Sequence, residues 1–368
     1  MIKKARHSGK KTLRVVAYLG MDRPCRRGDY GEALVRRIIS SRHELVGLVI
    51  HPSDNLADLA RRFRIPYISI PLELLQPSEG IKRALAENTQ LREFYPIWLG
   101  HIRSFQADIG ISVWSYWIPA ELFSMPPLGF INYHPAPLPY MRGMEPDTFA
   151  ILQGRKKIWG TVHKVNHAFD CGDIVAWTKH IPVRHHDTPV SVLEKLNREG
   201  VNTLVRVIDS FADGTVMLTP QRPEEGSRTT RAMARRESFI DWESDTAEML
   251  DRRLRAFCGQ DIGIRLKGRI DGRIHDVVDL EAYIGVFPGR PGETLGRYRG
   301  MGPFRGSPII RIADGVVVVR FGREITPLSY SSIFNNECPQ QKLLAPGRRM
   351  KRTTRLTVMK SIGNAMRA

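Results

Sequence analysis

The chain predicts an α/β fold: a doubly wound, mostly parallel sheet with a smaller β-rich C-terminal domain. Short apolar runs alternate with helix-periodic segments from Leu13 to Phe211, as strands covered by helices require. Further on, Ser307–Phe321 reads as a hairpin, SPIIRI and VVVVRF around an Ala-Asp-Gly turn. The 368 residues, 42% hydrophobic and 26% charged, suit a soluble protein of two domains with appendages.

In order along the chain, Leu13–Leu19 reads as a buried strand and Gly31–Ser41 as a helix with Ala33, Leu34, Ile38 and Ile39 on one face. Leu45–Ile50 is a second strand, Asn55–Phe63 a helix and Tyr67–Ile70 a short third strand. One or two helices occupy Ser78–Phe105, and Ala107–Trp114 and Gly129–Tyr133 complete a parallel set. Asn132 and His134 then fall at the C-terminal end of its last strand, where ligands bind in open α/β sheets. A helix over Asp147–Gln153, strands over Trp159–Asn166 and Ile174–Ile181, and an amphipathic helix over Val190–Phe211 follow. The predicted boundaries are a basic tail at 1–12, a catalytic domain at 13–218, a linker at 219–237, a small β-rich domain at 238–328 and a second basic tail at 329–368.

Several classes are disfavoured. No GxGxxG follows the first strand and no GxxxxGK[ST] occurs, which argues against a dinucleotide or P-loop enzyme. No apolar run reaches the roughly 18 residues of a membrane span, so no transmembrane segment is expected. The basic start lacks the apolar stretch of a secretory signal, and a cytoplasmic location is expected. Cys25, Cys171, Cys258 and Cys338 form no CxxC pair, so neither a metal site nor a disulfide framework is predicted. The formal charge of +18 sits mostly at the ends, since Met1–Arg14 and Pro346–Ala368 together carry thirteen Lys and Arg and no acids. The tails are read as solvated, or as binders of a polyanion.

The chemistry centres on Asn132-Tyr133-His134-Pro135, with His163 twenty-nine residues after His134 and Asp170 seven beyond that. An amide can donate to a developing oxyanion, an imidazole can move a proton near neutral pH, and a carboxylate can orient that imidazole or hold a relay water. Asn132, His134 and Asp170 are therefore the candidate catalytic set for moving an acyl group onto an amine. The spacing, the Leu138–Gly143 run LPYMRG and the Asp170–Ile174 run DCGDI resemble the folate-dependent formyltransferase family. The Ile240–Trp242 and Arg255–Phe257 runs are similar, less specifically, to that family's C-terminal barrel-like domain.

The resemblance implies the formyltransferase fold, N10-formyltetrahydrofolate as formyl donor, no metal, and transfer to an amine. It places the folate against Trp114, Ser115, Tyr116, Trp117 and Ile118 on one side and Asn166, His167, Ala168 and Phe169 on the other. An apolar slot with backbone groups at its edge suits a pteridine, although the aromatic run also reads as a packed strand end. The LPYMRG loop implies acceptor contacts from Tyr140 and Arg142, the latter a fork for phosphate or carboxylate or else an exposed loop arginine. His163 reads equally as a packed strand histidine or as an organiser of the site. The implied acceptor is a small-molecule amine, first a nucleotide-linked amino sugar. Initiator methionyl-tRNA and hydroxyornithine are the alternatives, and a non-catalytic RNA-binding relative the least favoured. The resemblance also allows a homodimer.

Overall fold

The computed structural model describes residues 11–20, 30–52, 56–75, 78–114, 117–257, 264–299 and 302–325. Nearly all of both basic tails, Cys25, Cys258 and Cys338, and Ser115 and Tyr116 of the expected folate segment lie outside them. The first half of the chain runs β1 (Arg14–Gly20), α1 (Tyr30–Ile39), β2 (Glu44–Ile50), α2 (Leu56–Phe63), β3 (Tyr67–Ser69), α3 (Ser78–Glu87), α4 (Thr89–Ser104), β4 (Ile109–Trp114), α5 (Ala120–Phe123) and β5 (Phe130–His134). There follow β6 (Arg142–Gly143), α6 (Pro146–Leu152), β7 (Lys157–Ile158), β8 (Thr161–Lys164), β9 (Ile174–Trp177), β10 (Ile181–Pro182), α7 (Pro189–Ala212) and β11 (Arg228–Thr229).

Seven of these strands make one sheet in the order β3-β2-β1-β4-β5-β8-β9. The pairings from β3 to β5 are parallel, whereas β5–β8 and β8–β9 are antiparallel. Strand β1 is buried on both faces, which explains its unbroken RVVAYLG run. Val15, Ala17 and Leu19 pack with α1 and α7 through Leu34, Ile38, Leu204 and Ile208. Val16 and Tyr18, pointing the other way, join Leu91, Trp98 and Ile102 of α4 and Leu122 and Phe123 of α5. Two helical layers on a parallel sheet are what the alternation predicts, and each large apolar side chain so buried contributes about 1.5–3 kcal/mol.

Helix α7 begins with a capping box. The Ser191 N–H donates to Thr188 Oγ1 and the Thr188 N–H to Ser191 Oγ, with Pro189 in the first turn. The helix holds the sheet through Tyr133, whose hydroxyl donates to the Leu196 carbonyl at 2.7 Å. Tyr133 thus points away from the face that carries its neighbours Asn132 and His134.

The described residues divide into two compact units, one of residues up to Ala150 with Arg155–Thr230, the other of Ile151–Gly154 with the residues from Arg231 on. The second unit contains α8 (Arg231–Glu237), α9 (Ala247–Phe257), β12 (Lys267–Ile270), β13 (Arg273–Ile284), β14 (Thr294–Arg297), β15 (Pro308–Ile312) and β16 (Gly315–Ile325). Its antiparallel sheet runs β12-β13-β16-β15-β14. The expected hairpin is β15–β16, where Ile312 pairs with Gly315 across Ala313 and Asp314. Asp314 Oδ1 also accepts the Ala247 N–H at 2.8 Å, capping α9.

The division between the units falls between Thr230 and Arg231, inside the expected linker at 219–237. The Thr219 and Ile174 backbones exchange two hydrogen bonds of 2.8 Å, β11 pairs in parallel with β6, and α8 already belongs to the second unit. The Pro, Gly and charge content that signals a linker instead serves an irregular segment bonded to the first unit.

Candidate active site

Asn132 and His134 lie two residues apart on β5 and so share a face of the sheet. The antiparallel register sets Asn132 opposite His163 and His134 opposite Thr161. Side chains of directly opposed residues meet on one face, and Asn132 Nδ2 lies 3.1 Å from His163 Nε2. His163 Nδ1 is 2.8 Å from the Lys164 carbonyl oxygen, an acceptor only, so a neutral ring carries its proton on Nδ1. Nε2 then accepts the Asn132 amide N–H. His134 is fixed by the same logic, with Nε2–H donating to the Met141 carbonyl at 3.1 Å and Nδ1 left bare. Thr161 Oγ1 holds the intervening loop, donating to the Ala136 carbonyl at 2.7 Å and accepting the Leu138 N–H at 3.1 Å.

Asp170 completes the group. Its Oδ2 accepts the Gly143 N–H at 2.9 Å, while Oδ1 lies 3.7 Å from His134 Nδ1 and 3.6 Å from His163 Nε2. Those two gaps are too long for direct hydrogen bonds. A proton gained by either ring, or an N–H or O–H brought by a bound molecule, fits between them. Burial by itself pushes the Asp170 carboxyl up; the positive charge that His134 and His163 carry when protonated, and the Gly143 N–H, outweigh it and hold the group well below the usual carboxylate range. The cluster is therefore an ionised, nearly enclosed carboxylate behind two tautomer-locked imidazoles and an amide. It can take a proton from an attacking amine and donate an amide N–H to an oxygen gathering charge.

The residues expected around a folate come together in part. Trp117 meets the Phe169 ring edge-on, with centroids 5.2 Å apart, so the segment after β4 and the loop before Asp170 are neighbours. Ile118 is buried, and His167 stacks edge-on against Phe123 at 5.2 Å. Asn166 Oδ1 accepts the Ala168 N–H at 3.0 Å, an Asx turn that shapes the loop. Trp114 ends β4. Phe169 keeps 46% of its surface exposed, enough for a flat apolar group to cover.

The LPYMRG loop divides in role. Tyr140 is exposed, whereas the Arg142 guanidinium donates to the Pro139 carbonyl at 3.3 Å, the Pro223 carbonyl at 2.7 Å and Cys171 Sγ at 3.1 Å. These bonds use three of its five N–H groups on its own surroundings, which weakens the expectation of an open anion fork. Gln221 and Ser227 carry no sequence signal of chemistry and Gly172 appears only as part of the DCGDI run, yet all three bear on the site. A Cβ on Gly172 would lie 1.8 Å from the Lys164 carbonyl oxygen, the one that holds His163. Gln221 bonds the backbone carbonyls of Asp170 and Gly172. Ser227 Oγ accepts the Met141 N–H at 3.0 Å. Among the described residues no cluster of three or more His, Cys, Asp or Glu could hold a metal ion, and no helix is long and apolar enough to cross a membrane.

Comparison with known proteins bears on the family and the fold. Residues 26–208 match a family model described as formyl transferase. A methionyl-tRNA formyltransferase of Agathobacter rectalis is 28% identical over 222 residues, 60% of this chain and 68% of that protein. An N-formyltransferase from Helicobacter canadensis, solved with folinic acid and dTDP-3-aminofucose, superposes with a TM-score of 0.55 at 14% identity, covering 84% of this chain and 100% of that one. HypX from Aquifex aeolicus in complex with tetrahydrofolic acid gives a TM-score of 0.50 at 16% identity, over 87% of this chain and 47% of that one. At these identities the two structures attest to the fold.

Proposed function

The chain belongs to the folate-dependent formyltransferase family through its residues 26–208, and from that premise we propose that it moves the formyl group of N10-formyltetrahydrofolate onto a primary amine, with Asn132, His134 and Asp170 as its catalytic set. The observation that carries this reading is the convergence of His134 Nδ1 and His163 Nε2 on one oxygen of Asp170 beside the Asn132 amide. The donor supplies an activated formyl carbon. Trp117, Ile118 and the Asn166–Phe169 loop would hold its pteridine.

Asn132 spends one N–H on His163 Nε2 and has a second for the formyl oxygen as charge gathers there. His134 cannot lose its Nε2 proton to the Met141 carbonyl, so Nδ1 receives the proton that the attacking amine sheds. The imidazolium so formed faces ionised Asp170, already in place and bound through Gly143. The imidazolium returns that proton to N10 of the donor as the formyl carbon–N10 bond breaks, so tetrahydrofolate leaves with its N–H and the acceptor nitrogen keeps the formyl group. His163 keeps the amide aimed, which makes it a positioning residue.

For the acceptor, a nucleotide-linked amino sugar is favoured. The excess positive charge outside the two tails is only about +5, and LPYMRG is similar to the loop of small-acceptor relatives. Initiator methionyl-tRNA is the second reading, supported by the similarity to tRNA formyltransferases over 60% of the chain. Salt separates the two. A tRNA gripped through six or more phosphates should lose about 10³-fold or more in kcat/KM between 50 and 200 mM salt, and a sugar nucleotide with one or two phosphates far less.

A further inference from the structure

The family match ends at residue 208, and the part of the chain that touches the candidate catalytic residues does not. Within 219–229, Gln221 Nε2 donates to the Asp170 carbonyl at 3.2 Å and to the Gly172 carbonyl at 2.5 Å. Only an NH2 can face two carbonyl oxygens, so the orientation of this amide is fixed by its surroundings. Six residues on, Ser227 Oγ accepts the Met141 N–H and its carbonyl accepts the Arg142 N–H at 2.9 Å, while the Thr229 carbonyl accepts the Met144 N–H at 3.0 Å.

The two places gripped share a property. Asp170 has φ +55° and Met141 φ +58°, left-handed conformations that non-glycine residues adopt at a cost. Each also serves the chemistry directly: Asp170 supplies the carboxylate, and the Met141 carbonyl sets the tautomer of His134. One short segment therefore braces both loops at their costly residues, and the Gly143 N–H to Asp170 Oδ2 bond joins the braced loops.

We propose that Gln221 is a positioning residue for catalysis, holding the Asp170 loop in its left-handed turn so that Oδ1 stays between the two imidazoles. The role rests on the formyltransferase reading, but the brace itself does not require turnover. Without the two N–H donors the loop relaxes, and a displacement near 1 Å in a catalytic group costs about 10²-fold in rate.

Gln221→Met keeps the length and removes both donors; Gln221→Glu keeps the shape and recovers one donor only when protonated. In the full chain, Gln221→Met should lower kcat about 10- to 100-fold with KM for the folate donor within about twofold. The kcat of Gln221→Glu relative to wild type should rise as pH falls from 8 to 6, because a carboxyl packed against two carbonyls is protonated more readily than a free one. That ratio should stay flat for Gln221→Met. Amide exchange at Gly143, Cys171 and Gly172 should quicken in both variants at pH 8, whether or not an acceptor has been found. Unchanged exchange at these amides in folded Gln221→Met, or a kcat within twofold of wild type, overturns the proposal. Quickened exchange in a protein that formylates no amine upholds the brace and sinks the formyltransferase reading instead.

Discussion

The His134 Nε2–H bonds the Met141 carbonyl at 3.1 Å, so a single backbone oxygen decides which nitrogen of this histidine can act as a base. The bare Nδ1 is the one that faces Asp170. Replacing His134 with Ala should cut kcat by on the order of 10²–10³, and Asn132→Ala should do likewise. His134 is buried and Asn132 half-buried, but neither belongs to the apolar clusters on the two faces of the sheet, so the melting temperature should move by no more than a few degrees. A melting shift much larger than that would recast them as packing residues.

Asp170→Asn keeps an acceptor for the Gly143 N–H and removes the charge behind both imidazoles. We expect kcat to fall about 10²- to 10⁴-fold. The depressed carboxyl gives a second test. Ionised Asp170 contributes stability above the unfolded carboxylate pKa near 3.9, and that contribution is lost as pH falls toward the lower folded value. The melting-temperature advantage of wild type over Asp170→Asn should thus hold from pH 7 to about 5 and shrink below about 4. An advantage that grew toward acid would reverse the sign argued here.

Gly172→Ala should damage the site from behind, because its new methyl meets the Lys164 carbonyl that fixes His163. Either the Asp170 loop or that carbonyl has to shift. Circular dichroism and steady-state kinetics should show a folded protein with kcat down by about tenfold or more.

His43 predicts a pH effect on stability unrelated to turnover. It is buried, its Nδ1 accepts the Leu13 N–H, and its Nε2–H reaches Asp209 at 3.1 Å. Burial lowers its pKa, ahead of the opposing pull of Asp209. The unfolded chain then takes up this proton first, near pH 6.5, so stability should decline as pH drops from 7 to 5. His43→Asn should flatten that slope; an unchanged slope would assign it to other groups.

Much of this was legible beforehand. The parallel strands fall within two residues of the runs Leu13–Leu19, Leu45–Ile50, Tyr67–Ile70, Ala107–Trp114 and Gly129–Tyr133, because strands buried on both faces advertise themselves as unbroken apolar stretches. Asn132, His134 and Asp170 were readable because their spacing matches a family motif, and the structure brings them together with His163. The Gln221–Thr229 brace was not. Its hydrogen bonds run to backbone atoms some fifty to ninety positions away, and Pro223, Glu224, Glu225 and Gly226 compose a segment that looks like any exposed connection. Arg142 was only partly legible for a related reason: a guanidinium in a loop suits an anion, and only the fold reveals that Pro139, Pro223 and Cys171 also engage it.

The most direct test is formyl transfer itself, followed as appearance of tetrahydrofolate from N10-formyltetrahydrofolate with a panel of amines. The panel includes nucleotide-linked amino sugars, hydroxyornithine and charged initiator tRNA, each assayed with wild type and His134→Ala. The account predicts that wild type formylates at least one of them, with a sugar nucleotide best, and that His134→Ala loses 10² or more of that kcat. Transfer by His134→Ala at the wild-type rate would contradict it.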